Sequence, residues 1–139
     1  MALTGRLHPL LLHFPIALVL VAAGAELVAI LTRRRAWHVV AVANVRAGAV
    51  FAVATAITGW LFASASAVDD LRSLEWHRWI GTAAVVATIS AALASAGIDR
   101  QSPTTRWMYR IALVWAAALV VITGHLGARL VWGSGFLRP

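Results

Sequence analysis

Residues 14–32 read FPIALVLVAAGAELVAILT, an apolar run with a single charged side chain, Glu26, and it is followed at once by three arginines, Arg33 to Arg35. About 20 such residues, each adding about 1.5 Å of helix, cross the ~30 Å hydrocarbon core of a bilayer. The run predicts a first membrane span from about His8 to Thr32, with Pro9 in its first turn. It shows no cleavage site typical of a secretory signal peptide.

Three further stretches satisfy the same criterion. They run from about Trp37 to Phe62, from Leu74 to Gly97 and from Arg106 to Trp132. The connections between them are short, and one contains the helix-breaking pair Ser102-Pro103. These features predict an all-α protein: an integral membrane four-helix bundle of up-down-up-down topology, with one domain over residues 1–139. No close sequence repeat is evident.

Composition narrows the classes of protein to which the chain can belong. The chain of 139 residues is 61% hydrophobic and 12% charged, which is typical of a membrane domain in a lipid bilayer. It has no cysteine, which excludes iron–sulfur clusters and covalent c-type haem attachment. The net charge of +7 comes from arginines that form no stripe with aromatic residues, so nucleic acid is not an expected partner. The sequence contains no nucleophile–base pair and no phosphate loop, so it gives no indication of a stand-alone enzyme.

Loop charge predicts the orientation of the spans. The first and third connections, with the start of the fourth span, carry six arginines, and the opposite face carries five that are diluted by acidic residues. Because loops rich in Lys and Arg remain in the cytoplasm, both termini are expected outside. In a bacterial inner membrane that side is the periplasm.

The histidines are the most informative polar residues. The predicted topology brings His8, His13, His77 and His125 to one end of the bundle and leaves His38 at the other. Imidazole at membrane depth is costly, and it is the commonest ligand of metals and haem iron. Equal expected depth favours His13 and His125 as one axial pair, with His8 and His77 shallower. Capping of a helix, or a bond to a backbone carbonyl, would explain each histidine without a ligand.

Other residues are expected around this site. Glycines would let a macrocycle approach a helix closely, a tryptophan could pack against it, and arginines could bind haem propionates. These residues are Gly124, Gly127, Trp79, Arg78 and Arg129. The alternatives are packing of small residues between helices, an interfacial aromatic belt, and arginines extending to the headgroups.

Glu26 is expected to form a second polar feature. Folding the first two spans about the turn from Arg33 to Trp37 brings Glu26 opposite residue 44 or so, with Asn44 and Arg46 both within reach. A carboxylate and a guanidinium inside a membrane should pair, which predicts an ion pair with Arg46. A structural role is favoured for this pair. A proton path from the inner side is the functional alternative.

Several motifs resemble a known family. Residues 7–18, LHPLLLHFPIAL, resemble the opening of the DUF2231 family of predicted bacterial membrane proteins, whose typical form is HPxxxHFPIAL. Gly59-Trp60, residues 74–81 (LEWHRWIG) and residues 123–127 (TGHLG) are similar to the branch found beside or fused to periplasmic c-type cytochrome domains. The resemblance implies a four-span module whose signature histidines are the four selected above.

That association favours haem over a bare metal. The leading interpretation is a small b-type cytochrome-like protein with one or two haem b groups held by the histidines. It would pass electrons between quinol, or another membrane subunit, and a separate periplasmic c-type cytochrome. Two alternatives remain: an accessory subunit of a larger respiratory or photosynthetic complex, and a protein that binds copper, zinc or iron directly through the histidines.

Overall fold

The computed structural model describes residues 7–65, 70–97 and 102–133, nearly all of which are helical. The helices are α1 (His8–Leu11), α2 (His13–Thr32), α3 (Arg35–Ala65), α4 (Leu71–Ala96) and α5 (Pro103–Trp132). No β-strand occurs within those ranges. The prediction of an all-α four-helix bundle is therefore confirmed.

The first span consists of α1 and α2 together. Leu12, between them, keeps right-handed helical angles (φ −60°, ψ −26°), so the chain continues in the same direction. Pro15 lacks the N–H that would bond to the carbonyl of Leu11, which weakens the ladder at this point. With this junction included, four segments are long and apolar enough to cross a membrane: His8–Thr32, Arg35–Ser64, Leu71–Ala96 and Pro103–Trp132.

The turn between α2 and α3 is shorter than the sequence indicated. It consists of Arg33 and Arg34, and α3 begins at Arg35. Arg33 adopts a left-handed conformation with φ 54°, the conformation that ends many helices and that usually falls to glycine. A two-residue turn sets α2 and α3 side by side as an antiparallel hairpin.

Small side chains fill the centre of the bundle. Ala22, Ala91 and Ala116 are fully buried, and a Cβ added to Gly48 of α3 would lie 3.3 Å from Cγ2 of Val19. Small residues let the backbones of membrane helices approach closely, and dispersion contacts there replace the hydrophobic driving force that lipid removes. Most of the large apolar residues instead face outward, as expected for a surface in contact with acyl chains, and Tyr109 and Leu113 are buried exceptions.

The buried positions repeat along the chain. Helices α1 to α3 form the first hairpin, and α4 and α5 form the second. Four buried positions of α2 have the same intervals as the buried positions of α4: Pro15, Val19, Ala22 and Glu26, and then Ala84, Thr88, Ala91 and Ser95. Helices α3 and α5 match in the same way, at Ala41, Val45, Gly48 and Ala52, and at Tyr109, Leu113, Ala116 and Val120. The bundle is therefore two similar hairpins in the same orientation, although their residues differ.

This arrangement gives the bundle two distinct ends. The histidine end contains the beginnings of α1 and α4 and the last turns of α3 and α5. The Glu26 end contains the turn at Arg33 and Arg34 and the beginning of α5.

Candidate functional site

His8 and His77 lie beside each other at the histidine end. One comes from each hairpin, and both are partly buried. Their ring centroids are 6.4 Å apart, and the ring planes are nearly perpendicular, at 85°. The two imidazoles therefore lie next to each other, at nearly right angles, across the boundary between the hairpins.

A backbone carbonyl orients each ring. Nδ1 of His8 donates to the carbonyl of Thr55 (2.9 Å), 47 residues later, and Nδ1 of His77 donates to the carbonyl of Thr123 (3.1 Å), 46 residues later. A carbonyl oxygen only accepts, so the proton is on Nδ1 in both rings. In the neutral imidazole Nε2 then carries a lone pair, which is the form that binds a metal.

A glycine makes room for each ring. A Cβ added to Gly59 would lie 2.8 Å from Cε1 of His8, and one added to Gly127 would lie 3.1 Å from Cε1 of His77. The close approach at Gly127 is thus made by a histidine ring of the neighbouring helix. Gly124 is less constrained, with Cδ1 of Ile16 at 3.9 Å from its added Cβ.

His13 and His125 are exposed on the outside of the bundle. Pro15 faces the core, and His13, two residues earlier, lies about 200° away around the helix. His125 follows Gly124 on the side where α5 passes Ile16. The structure thus brings His8 and His77 together and leaves the predicted His13–His125 pairing as a prediction.

Arg78 and two tryptophans surround the outer edge of the pair. The guanidinium of Arg78 lies 3.8 Å from the ring centroid of Trp60, and Trp60 meets Trp79 edge to face, with centroids 5.8 Å apart. Nε of Arg78 and Nε of Arg129 are buried and have no hydrogen-bond partner among the described residues. Both sequence-selected arginines therefore lie partly buried at the histidine end with a donor still available.

The predicted ion pair between Glu26 and Arg46 is wrong. Oε2 of Glu26 instead accepts from Nδ1 of His38 (2.6 Å), and Oε1 accepts from Nε of Arg110 (2.9 Å). Nε of Arg46 donates to Oγ of Ser95 (3.0 Å). The side chain of Arg46 is thus directed to Ser95 on α4, and Glu26 takes its partners from α3 and α5 instead.

The Glu26 cluster connects both hairpins. Glu26 belongs to α2, His38 to α3 and Arg110 to α5, while the fully buried Tyr109 packs edge to face on His38, with centroids 5.7 Å apart. Each carboxyl oxygen of Glu26 accepts a hydrogen bond, as a buried acid in a membrane requires. This geometry favours the structural role.

These features define a class: a four-span membrane bundle with a pair of oriented imidazoles at one end. The chain belongs to the DUF2231 family, described as a predicted membrane protein, whose model matches residues 5–137. Neither a curated protein nor a solved structure matches it.

Proposed function

We propose that this protein is a b-type cytochrome-like electron-transfer protein of a bacterial inner membrane, with one haem held by His8 and His77 near the periplasmic face. The observation that carries the proposal is the pair of imidazoles whose Nδ1 atoms both donate to backbone carbonyls. A histidine that binds a metal through Nε2 usually donates a hydrogen bond from Nδ1, which fixes the orientation of its ring.

The separation of the rings supports this assignment. A metal–imidazole bond of about 2.0 Å places each ring centroid about 3 Å from the metal, so two rings on opposite sides of one iron have centroids about 6 Å apart. The observed separation is 6.4 Å. Two imidazoles at the tetrahedral angle of a bare zinc ion would have centroids nearer about 5 Å apart.

The number of ligands also favours haem. Within the described ranges, no three His, Cys, Asp or Glu side chains come together as a metal-binding group. A porphyrin supplies four of the six ligands of its iron and needs only two from the protein. Haem with two histidine ligands has no open position, so it would carry single electrons and would not activate oxygen.

The residues around the histidine pair fit the propionate edge of a haem. Arg78 and Arg129 would bind the two propionates, for which the unpartnered Nε atoms are suitable donors. Trp79 and Trp60 would form the aromatic wall beside them. Electrons would come from quinol or another membrane subunit and pass to a periplasmic c-type cytochrome. The arginine-rich opposite end would remain in the cytoplasm, which would place the histidine end on the periplasmic side where such a cytochrome could reach it.

The test is a dithionite-reduced minus oxidised visible spectrum of the protein in mild detergent, with metal analysis of the same sample. We expect the narrow α-band and shifted Soret band of low-spin b-type haem, and about one iron per chain. Stoichiometric copper or zinc without a Soret band would replace haem by a directly bound metal. A flat spectrum, no metal and firmly bound companion subunits would contradict the proposal and support an accessory subunit.

A further inference from the structure

Two adjoining cavities lie between the hairpins, where α3 meets α4, and they share Trp60. The head cavity, about 340 Å³, is lined by Trp60, Leu71, Leu74, Glu75, Arg78 and Trp79. The tail groove, about 430 Å³, is lined mainly by Ile57, Leu61, Thr82, Val85 and Val86, with Trp60 at its mouth. Charged side chains line the head cavity, and none lines the tail groove.

We propose that these cavities bind a quinol, with its ring in the head cavity and its isoprenoid tail in the tail groove. This inference rests on the proposed function, because it identifies the electron donor and where the donor binds. Both volumes fall in the range of small-molecule sites in proteins.

The head cavity matches a hydroquinone ring. The guanidinium of Arg78 stacks on Trp60 and lines the cavity, so its terminal N–H groups can donate to a quinone oxygen while Nε binds the propionate. The carboxylate of Glu75 can accept from a hydroquinone O–H. The charges of Glu75 and Arg78 offset each other in this cavity, which favours a ligand without net charge over an anionic phospholipid headgroup.

The tail groove is open to the lipid. Ile57 and Val86 line it and are 57% and 59% exposed on the flank of the bundle, where acyl chains contact the protein. An isoprenoid tail can therefore enter sideways without leaving the hydrocarbon. Trp60 lines both the tail groove and the head cavity, so the two lie next to each other as the tail and ring of an amphiphile would require.

The position of the cavities connects them to the histidine pair. Arg78 directly follows His77, so the ring would bind within one residue of the proposed haem ligand. Oxidation of one hydroquinone breaks both O–H bonds and yields a quinone, two protons and two electrons. Glu75 would take up the two protons one after the other and release each to water. The two electrons would leave one at a time through the single haem, which the periplasmic cytochrome would reoxidise after each transfer.

The experiment compares the full chain with two tryptophan variants purified from bacterial membranes in mild detergent. Val86→Trp fills the tail groove. Leu93→Trp is the matched control, since Leu93 lies two turns further along α4, is 70% exposed and does not line the tail groove. Retained benzoquinones and naphthoquinones are extracted with organic solvent and quantified per chain, and bound phospholipid and haem are measured in the same samples.

We expect about one quinone per wild-type chain. The quinone content of Val86→Trp should be lower by about fivefold or more, because the added ring occupies the groove. The quinone content of Leu93→Trp should equal that of the wild type. Equal retention in all three proteins would overturn the inference. So would a stoichiometric anionic phospholipid, with no quinone, that Val86→Trp displaces. A quinone lost only in Val86→Trp from a protein without haem would uphold the site and refute the haem. Haem without any quinone would refute the quinol site and leave the haem proposal intact.

Discussion

At the scale of single residues, the histidine pair depends on two positions that carry no side chain, Gly59 and Gly127. Each faces the ring that its own hairpin contributes, and the same pattern of histidine, carbonyl and glycine occurs in both hairpins. The rings can reach their carbonyl acceptors only because nothing stands between them and the neighbouring helix.

We expect Gly59→Ala to destabilise the protein by about 1–3 kcal/mol, the usual cost of forcing an extra group into a packed site. The added Cβ would lie 2.8 Å from Cε1 of His8 and displace the ring from the carbonyl of Thr55. Thermal unfolding in detergent measures the change. Gly24→Ala is the control, because nothing lies within 4 Å of its added Cβ. Equal melting temperatures for both variants would contradict the packing described.

Glu26 is the residue whose loss should cost the most. It is only 4% exposed, and its removal leaves Arg110 and His38 without their acceptor. We expect Glu26→Ala to reduce the free energy of unfolding by about 3–5 kcal/mol, as for other buried ion pairs that lose one partner. Glu75→Ala, at an exposed acid, should change the melting temperature little. A small effect of Glu26→Ala would show that the cluster contributes little to folding.

Sequence reasoning found the four histidines at one end but not which of them meet. Depth along a helix follows from counting residues, so His8, His13 and His77 could be placed near one face. Rotation about the helix axis depends on packing, and it turns His13 outward while His8 reaches Thr55. The recurrence of a glycine at a similar interval after each inward histidine was the signal that could have identified the pair.

At the scale of helices, α4 begins with a side-chain cap. Oδ1 of Asp70 accepts from the backbone N–H of Ser73 (3.0 Å). Hydrogen bonds from the side chain and then from the backbone of Ser73 hold the pKa of Asp70 below its ordinary value of 3.8, and the Asp70 side chain lies outside the membrane span. A lowered pKa means that the cap stabilises the fold above the ordinary pKa and that this stability is lost as pH falls through the lowered one.

We therefore expect Asp70→Asn to behave like the wild type at neutral pH, because Asn also caps helices, but to be less sensitive to acid. The measurement is the melting temperature in detergent from pH 7 down to about pH 3. The difference should be small, since the side chain is solvated. Identical acid sensitivity in both proteins would show that the cap does not contribute.

The helices themselves could be predicted closely, and their boundaries could not. A long apolar run between charged residues can only be satisfied in lipid by a helix, which fixes the number of spans. The structure starts α3 at Arg35 and α5 at Pro103, a few residues before the predicted starts at Trp37 and Arg106. Hydropathy marks where a helix enters lipid, whereas capping and turns decide where it begins.

At the scale of the whole molecule, the two hairpins have the same orientation, so their equivalent ends lie on the same face. This places both inward histidines at one end and leaves the Glu26 cluster at the other. The repeat was missed in the sequence because only burial and spacing are shared: Glu26 corresponds to Ser95, and Ala41 to Tyr109.

The chain has no cysteine, which makes its topology directly measurable. Leu71→Cys lies at the histidine end and Ala36→Cys at the Glu26 end, both at exposed positions that leave every arginine in place. We expect a membrane-impermeant thiol reagent to label Leu71→Cys in cells with a permeabilised outer membrane, and to label Ala36→Cys only after the inner membrane is opened. The reverse pattern would place the histidine end in the cytoplasm, and labelling of both from one side would contradict the spans.

The most direct test of the central claim is the haem content of His77→Ala beside His125→Ala, read from reduced minus oxidised spectra of equal amounts of purified, folded protein. If His8 and His77 hold the iron, His77→Ala loses the low-spin α-band and His125→Ala keeps it. Loss of the band in His125→Ala with an unchanged spectrum in His77→Ala would contradict this account and assign the iron to the exposed histidines.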